Sequence, residues 1–163
     1  MSLESATQAI RAKVDVPLIA AGGISGGRGM AAAFALGAEA IQMGTRFVSC
    51  AESPVHENYK NAIVNSKETG TWVLNTKATP CIRALKSERT AAIHELGVMS
   101  FDDMKGIQNV YFGGDMEAAP ALAGQSVGLI DAVKTAQQII DDTVAEFFKI
   151  SARMGQFAQT QTF

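Results

Sequence analysis

The chain has 163 residues, 47% hydrophobic and 18% charged, with a formal net charge of −2. This is the composition of a globular protein of about one domain, with enough apolar residues for a core. Its basic residues are scattered and not interleaved with aromatics, which argues against a nucleic-acid partner, and no apolar run reaches the roughly 18 residues that cross a bilayer.

Met1-Ser2-Leu3 reads as an addition ahead of a helix already under way. Glu4 to Val14 is expected to be that helix, with Ala6, Ile10 and Val14 on one apolar stripe, ended by Asp15 and Pro17. A first strand follows, Leu18 to Ala21. The turn from Gly22 to Gly29 opens a helix, Met30 to Leu36, with Ser25 as its cap and Gly37 as the left-handed residue that ends it. A second strand spans Ala40 to Met43. Strand, glycine turn, small-residue helix, strand is a βαβ unit, with a right-handed crossover expected.

Beyond Phe47 the pattern changes. Ser53-Pro54 is expected to begin a helix to about Ser66, with Tyr59 and Ile63 on one face. Thr69 to Asn75 reads as a short strand or an extended loop. Thr79-Pro80 is expected to lead into a helix through Leu96, ended by Gly97. Ser100 to Asp103 resembles a capping box with Asp in place of Glu. Asn109 to Gly114 reads as loop, Met116 to Leu122 as helix, and Gly124 to Ile130 as turn. In the last helix Thr135-Ala136-Gln137-Gln138 fits a capping box. Val133, Ala136, Ile140, Val144 and Phe147 form its apolar stripe, and Gly155 is its expected stop.

Two apolar runs end in glycine: Val16-Pro17-Leu18-Ile19-Ala20-Ala21 before Gly22-Gly23, and Ala40-Ile41-Gln42-Met43 before Gly44-Thr45. Such runs read as buried strands of a parallel sheet. The glycines bring backbone N–H groups close to a ligand. The Thr45 hydroxyl and the N-terminus of the Met30 helix would add donors for an anion. A tight strand–helix turn needs the same glycines, but two of them at successive strand ends favour a phosphate cradle. In a (β/α)8 barrel such a cradle lies at the last two strands. The chain is too short for a whole barrel of about 250 residues, and reads as its last quarter with an appended region. A Walker site is excluded, because Arg28-Gly29 follows Gly27 where Lys-Ser/Thr is required, and no GxGxxG occurs here.

Pro17 through Gly29, Leu36 to Ala40 and Gln42 to Phe47 resemble the FMN phosphate region of nitronate monooxygenases, a pattern shared with flavin-dependent enoyl-acyl-carrier-protein reductases. The resemblance continues through Ser53-Pro54, Tyr59-Lys60, Gly114-Asp115 and Gly124-Gln125 with Gly128-Leu129-Ile130. It implies a flavin barrel, FMN as cofactor, and oxidation of alkyl nitronates by oxygen. Gly22, Gly23, Gly44 and Thr45 are then the phosphate ligands. Gln125 either lies near the flavin ring, as in the family, or makes a loop-stabilising hydrogen bond. The family's histidine base lies on an earlier strand, and neither His56 nor His94 matches its motif, so no catalytic residue is assigned. The alternatives are the reductase branch and a non-catalytic truncated fragment.

The expected organisation is residues 1–50 as the last βα units of the flavin-binding barrel, 51–130 as a mainly helical subdomain, 131–155 as a returning helix and 156–163 as a frayed tail. Arg46 is either a phosphate partner or part of a structural ion pair, and Arg28 is a surface residue. Cys50 and Cys81 form neither a CxxC motif nor a disulfide framework. Both are expected to be small buried hydrophobes. With no signal-peptide pattern, the expected compartment is the cytoplasm. Asp102-Asp103 and Asp141-Asp142 lack metal-ligand spacing. Trp72 is expected to pack the appended region. Two strands without neighbours leave open edges, so a homo-oligomer is expected.

Overall fold

In the computed structural model, residues 3–160 are described; Met1 and Ser2 and the last three residues lie outside that range. The elements run α1 (Leu3–Arg11), β1 (Ile19–Ala21), α2 (Gly27–Ala35), β2 (Ala40–Gln42), α3 (Thr45–Val48), α4 (Glu57–Val64), β3 (Thr71–Leu74), β4 (Ile82–Leu85), α5 (Glu88–Leu96) and α6 (Ala136–Thr160). The chain divides into two compact units, one of residues 1–43 with 137–163 and one of residues 44–136.

In the first unit β1 pairs with β2 in parallel, Ala20 opposite Ile41. A parallel pair needs a crossover, and α2 supplies it. Ala20, Ala33 and Ala38 are buried together, with Ile24 and Ile41 against them. The expectation of buried strands fails at both, and no residue of β2 is fully buried. Only Ala20 is buried, while Ile19 is 64% exposed, because a two-stranded sheet lies behind only one covering helix. The α1 stripe is corrected too: Ile10 and Val14 are exposed, and Thr7 is the buried residue. Gly37, at φ +95°, ends the α2 turn as expected, and a Cβ on it would lie 2.8 Å from the Thr7 methyl. Its missing side chain lets α1 approach.

Helix α6 packs on the start of α2. A Cβ at Gly27 would lie 2.3 Å from the Thr143 carbonyl oxygen and 2.4 Å from the Phe147 nitrogen, so only glycine fits this backbone-to-backbone contact. Phe34 and Phe147 pack beside it with ring centroids 5.2 Å apart and planes tilted by 59°. The buried face of α6 carries Ile139 and Thr143, whereas Ile140 and Val144 are exposed. Of the expected stripe Phe147 meets α2, but at Ile140 and Val144 the buried position is the preceding residue, because Gly27 selects which side of α6 comes close. The helix also runs through Gly155 to Thr160 instead of stopping there.

The second unit is built on an antiparallel hairpin, with Trp72 opposite Ala84 and Leu74 opposite Ile82. This corrects the expected helix from Thr79. Residues 82–85 are strand, and the helix starts only at Glu88, capped by Ser87, whose Oγ accepts the Thr90 N–H while Thr90 Oγ1 accepts the Ser87 N–H at 2.8 Å. Gly97 ends α5 at φ +73°, as expected. In the connection Asn75 takes φ +61°. Its side chain donates to the Pro80 carbonyl at 2.9 Å and accepts the Met99 N–H at 3.0 Å. The Thr79–Pro80 peptide is cis.

The segment from Met116 to Leu122 is not helical either. Pro120 has no N–H to give a helix and is fully buried. Leu85 N–H donates to the Ala121 carbonyl at 2.8 Å and Ala123 N–H to the Arg83 carbonyl at 3.1 Å, so this stretch lies along β4 like a third strand. Asn109–Gly113 forms a π-helical turn where loop was expected. Tyr59 and Ile63 both lie fully buried on one face of α4, as their spacing foretold, in a core with Leu85, Val110, Val127 and Ile130. Helix α4 begins at Glu57, with the His56 imidazole as its cap, so Ser53-Pro54 lies ahead of it.

Candidate functional site

The first unit presents the turn after β1. Because β1 and β2 are parallel and Ala21 pairs with Gln42, both strands end at the same edge of the sheet. Gly22 and Gly23 have φ +92° and +72°, and a Cβ added to either meets nothing within 4 Å. Glycine is required by conformation, and the space beside both residues is open. The start of α2 differs from expectation. Its N-cap is Gly26, without a side-chain cap from Ser25. The Glu146 carboxylate accepts the Arg28 N–H at 3.1 Å, with the Arg28 guanidinium 3.7 Å away. A carboxylate of the chain therefore occupies the positive end of α2, which withdraws that end from the expected anion site. Arg28, expected as a plain surface residue, joins this ion pair.

The second unit holds an open cleft of about 370 Å³ onto which Gly44, Thr45, Gly124, Tyr59, Tyr111 and Arg83 face. A Cβ at Gly44 meets nothing within 4 Å. Thr45 Oγ1 accepts the Gly124 N–H at 2.9 Å, which leaves the hydroxyl hydrogen free to donate. That bond ties α3 to the segment that begins with Gln125, which is exposed at the start of a 3-10 turn. Tyr59 and Tyr111 stack with centroids 5.4 Å apart and planes 4° from parallel. The Tyr59 hydroxyl donates to the Leu122 carbonyl. Burial, with the neighbouring Tyr111 phenol as the lesser cause, holds the Tyr59 phenol well above the usual tyrosine range. Burial raises Tyr111 as well, against a smaller opposing influence of the neighbouring Tyr59 phenol. Both phenols therefore stay protonated near neutrality and act as donors, not bases. Arg83 donates to Thr71 Oγ1 at 2.9 Å. No carboxylate lines the cleft.

Arg46 is buried and donates to the Ala132 carbonyl at 2.9 Å, which commits its guanidinium to the fold. His56 Nδ1 accepts the Asn58 N–H at 3.1 Å. Its ring fills the space over Gly114, where a Cβ would lie 2.3 Å from Nδ1. His94 bonds the Val73 carbonyl through Nδ1 at 2.8 Å and stacks on Trp72 at 4.2 Å. Trp72 packs this region as expected and carries the Lys86 ammonium 4.0 Å above its ring. Cys50 is buried as expected, but Cys81 is exposed, because it ends the hairpin connection and is not on a helix face. Among the described residues no cluster of His, Cys, Asp or Glu is arranged to hold a metal ion, and no helix is long and apolar enough to cross a membrane.

The nitronate monooxygenase family model matches residues 2–146 of this chain. The chain belongs to the nitronate monooxygenase family. A probable nitronate monooxygenase of Staphylococcus saprophyticus is 42% identical over 91 residues, covering 56% of this chain and 24% of that protein. One from Staphylococcus aureus is 54% identical over 65 residues, covering 40% of this chain and 18% of its own length. Among solved structures, FabK from Thermotoga maritima superposes with a TM-score of 0.85 at 38% identity, over 95% of this chain and 50% of that one. A nitroalkane oxidase from Streptomyces ansochromogenes superposes with a TM-score of 0.74 at 24% identity, over 94% of this chain and 46% of the other, a likeness of fold. The chain thus has a mixed α/β fold of the kind these proteins share. It spans about a quarter or less of the curated relatives and about half of the solved ones.

Within this family member, the residues that sequence reading missed are Arg83 and Tyr111. Arg83 was hidden by the helix expected over residues 79–96, in which a basic residue is a solvated face. The signal was available: Ile82-Arg83-Ala84-Leu85 is one cation in an apolar run. Tyr111 was assigned to a loop.

Proposed function

We propose that this chain is the C-terminal part of a (β/α)8-barrel flavoenzyme that oxidises alkyl nitronates with oxygen, and that it helps to bind FMN. Membership of the nitronate monooxygenase family supports the activity. The observation that carries the cofactor reading is the bare backbone at Gly22, Gly23 and Gly44, where open space adjoins each Cα. An anion can approach amides there as it cannot where a Cβ intervenes. Gly22 and Gly23 serve in the first unit. Gly44 and Thr45 serve in the second, with Thr45 donating its free hydroxyl hydrogen, and the exposed Gln125 amide is offered to the flavin ring. Bound FMN would supply the redox centre that takes electrons from the nitronate and passes them to oxygen. The residues of this chain bind and orient it. His56 and His94 each commit Nδ1 to the fold, and this reading assigns proton transfer to a group outside this chain. The chain by itself is inactive on this reading.

The likeness to FabK, higher in TM-score and identity than that to the nitroalkane oxidase, supports a second reading, the reductase branch with a nicotinamide donor. The free cysteines support a reducing compartment, the cytoplasm. The exposed Ile19 on a two-stranded sheet supports association with a second copy.

Titrating the purified chain with FMN tests the cofactor. Quenched flavin fluorescence and a raised melting temperature are expected. Absence of both would favour a non-catalytic fragment. In the full-length enzyme, anaerobic bleaching of the bound flavin by NADH would assign the reductase branch, and flavin that stays oxidised with NADH the monooxygenase.

A further inference from the structure

The cleft of the second unit contains a cation that the flavin reading does not use. Arg83 is half-buried on β4, between Ile82 and the fully buried Ala84. A guanidinium carries five N–H donors in a planar fork, and the Thr71 hydroxyl takes one. No carboxylate among the described residues lies within ion-pairing distance of Arg83, in contrast to Arg11, Arg28 and Arg89, each of which has at least one. Partial burial strips a cation of hydration, and without a counter-charge that loss is uncompensated.

The other polar groups facing this cleft are also donors. Thr45 has spent an oxygen lone pair on the Gly124 N–H and keeps its hydrogen. The Tyr59 hydrogen is directed at the Leu122 carbonyl, so it does not compete for a ligand. With one cation, a hydroxyl hydrogen to donate and no carboxylate on its walls, the cleft has no negative charge to balance Arg83. We propose that Arg83 is the cationic anchor of an oxyanion site in this cleft, its fork bridging two oxygens of a phosphate monoester or a nitronate. Thr71 is its positioning residue, holding one edge of the fork. The inference rests on the flavin reading only for which oxyanion arrives.

The test uses the full chain with inorganic phosphate, followed by 31P line broadening, and with propane-2-nitronate, followed by calorimetry. Wild type is expected to bind at least one of these anions. Arg83→Met is expected to weaken that binding more than tenfold, and Arg83→Lys, which keeps the charge without the fork, to weaken it in part. Wild type that binds neither anion overturns the proposal, as does Arg83→Met that binds like wild type. If Arg83→Met fails to fold by circular dichroism, Arg83→Lys decides, and wild-type affinity there overturns it. FMN and riboflavin then separate the two sources. Loss of FMN but not riboflavin affinity in Arg83→Met names the flavin phosphate; unchanged FMN affinity with lost nitronate binding names the substrate. Arg83-dependent phosphate binding in a chain that ignores FMN would refute the flavin reading and leave this one standing. Tight FMN binding indifferent to Arg83, with no loss of either small anion, would do the reverse.

Discussion

Thr45 works twice: its oxygen accepts the Gly124 N–H and its hydrogen remains for a ligand. Thr45→Val keeps the shape and removes both. A hydrogen bond to a charged group contributes about 1.5–3 kcal/mol, so FMN affinity should fall about 10- to 100-fold, measured by fluorescence titration. Stability should also drop, by about 1 kcal/mol, because the Gly124 N–H loses its acceptor. Unchanged flavin affinity would remove Thr45 from the site. Asp103 gives a pH prediction. Its carboxylate accepts the Ser100 N–H at 2.8 Å, and this bond, ahead of the Ser100 hydroxyl and Arg89, holds its pKa below the usual aspartate range. A lowered folded-state pKa contributes stability that is present above the unfolded value and lost as pH falls through the folded one. Asp103→Asn should therefore melt below wild type near neutrality, and the two curves should converge in acid. A constant difference down to the lowest pH would contradict the assignment.

Among the elements, α2 and α6 come into backbone-to-backbone contact at Gly27. The Gly27 position, 2.3 Å from a backbone oxygen at its virtual Cβ, has no flexible side chain to yield. Gly27→Ala should destabilise by about 1–3 kcal/mol through forced backbone movement, visible in urea unfolding. Gly155 is the opposite case. It lies inside α6, exposed, with nothing within 4 Å of a Cβ. Gly155→Ala should stabilise the helix by about 1 kcal/mol; a destabilisation would mean that α6 ends before this residue. The contrast shows why Gly155, expected as a helix stop, does not end α6. Its propensity cost is small, and packing earlier in α6 outweighs it. In the second unit, Pro120 did in fact prevent the helix expected over 116–122, because a missing N–H is a harder constraint than an alanine-rich composition.

At the scale of the whole molecule, two units carry separate cores. The first rests on alanines, the second on Tyr59, Ile63, Val110 and Val127. Ile63→Ala, at a fully buried site, should cost about 2–5 kcal/mol, read as a loss in urea midpoint. The two-stranded sheet with Ile19 exposed should make the chain associate, and light scattering should give a mass above that of one 17.2 kDa chain. A clean monomer would remove the open-edge reasoning.

The βαβ order, the positions of Gly22, Gly23, Gly37 and Gly97, the shared face of Tyr59 and Ile63, and the family resemblance were all legible in the sequence. Each depends on local backbone conformation or on spacing along one element. Tertiary structure alone decided which face of α6 is buried, that residues 82–85 are strand, that Glu146 occupies the start of α2, and that Arg83 shares a cleft with Thr45. Those outcomes depend on partners from 8 to 118 positions away along the chain, and local propensity carries no record of them.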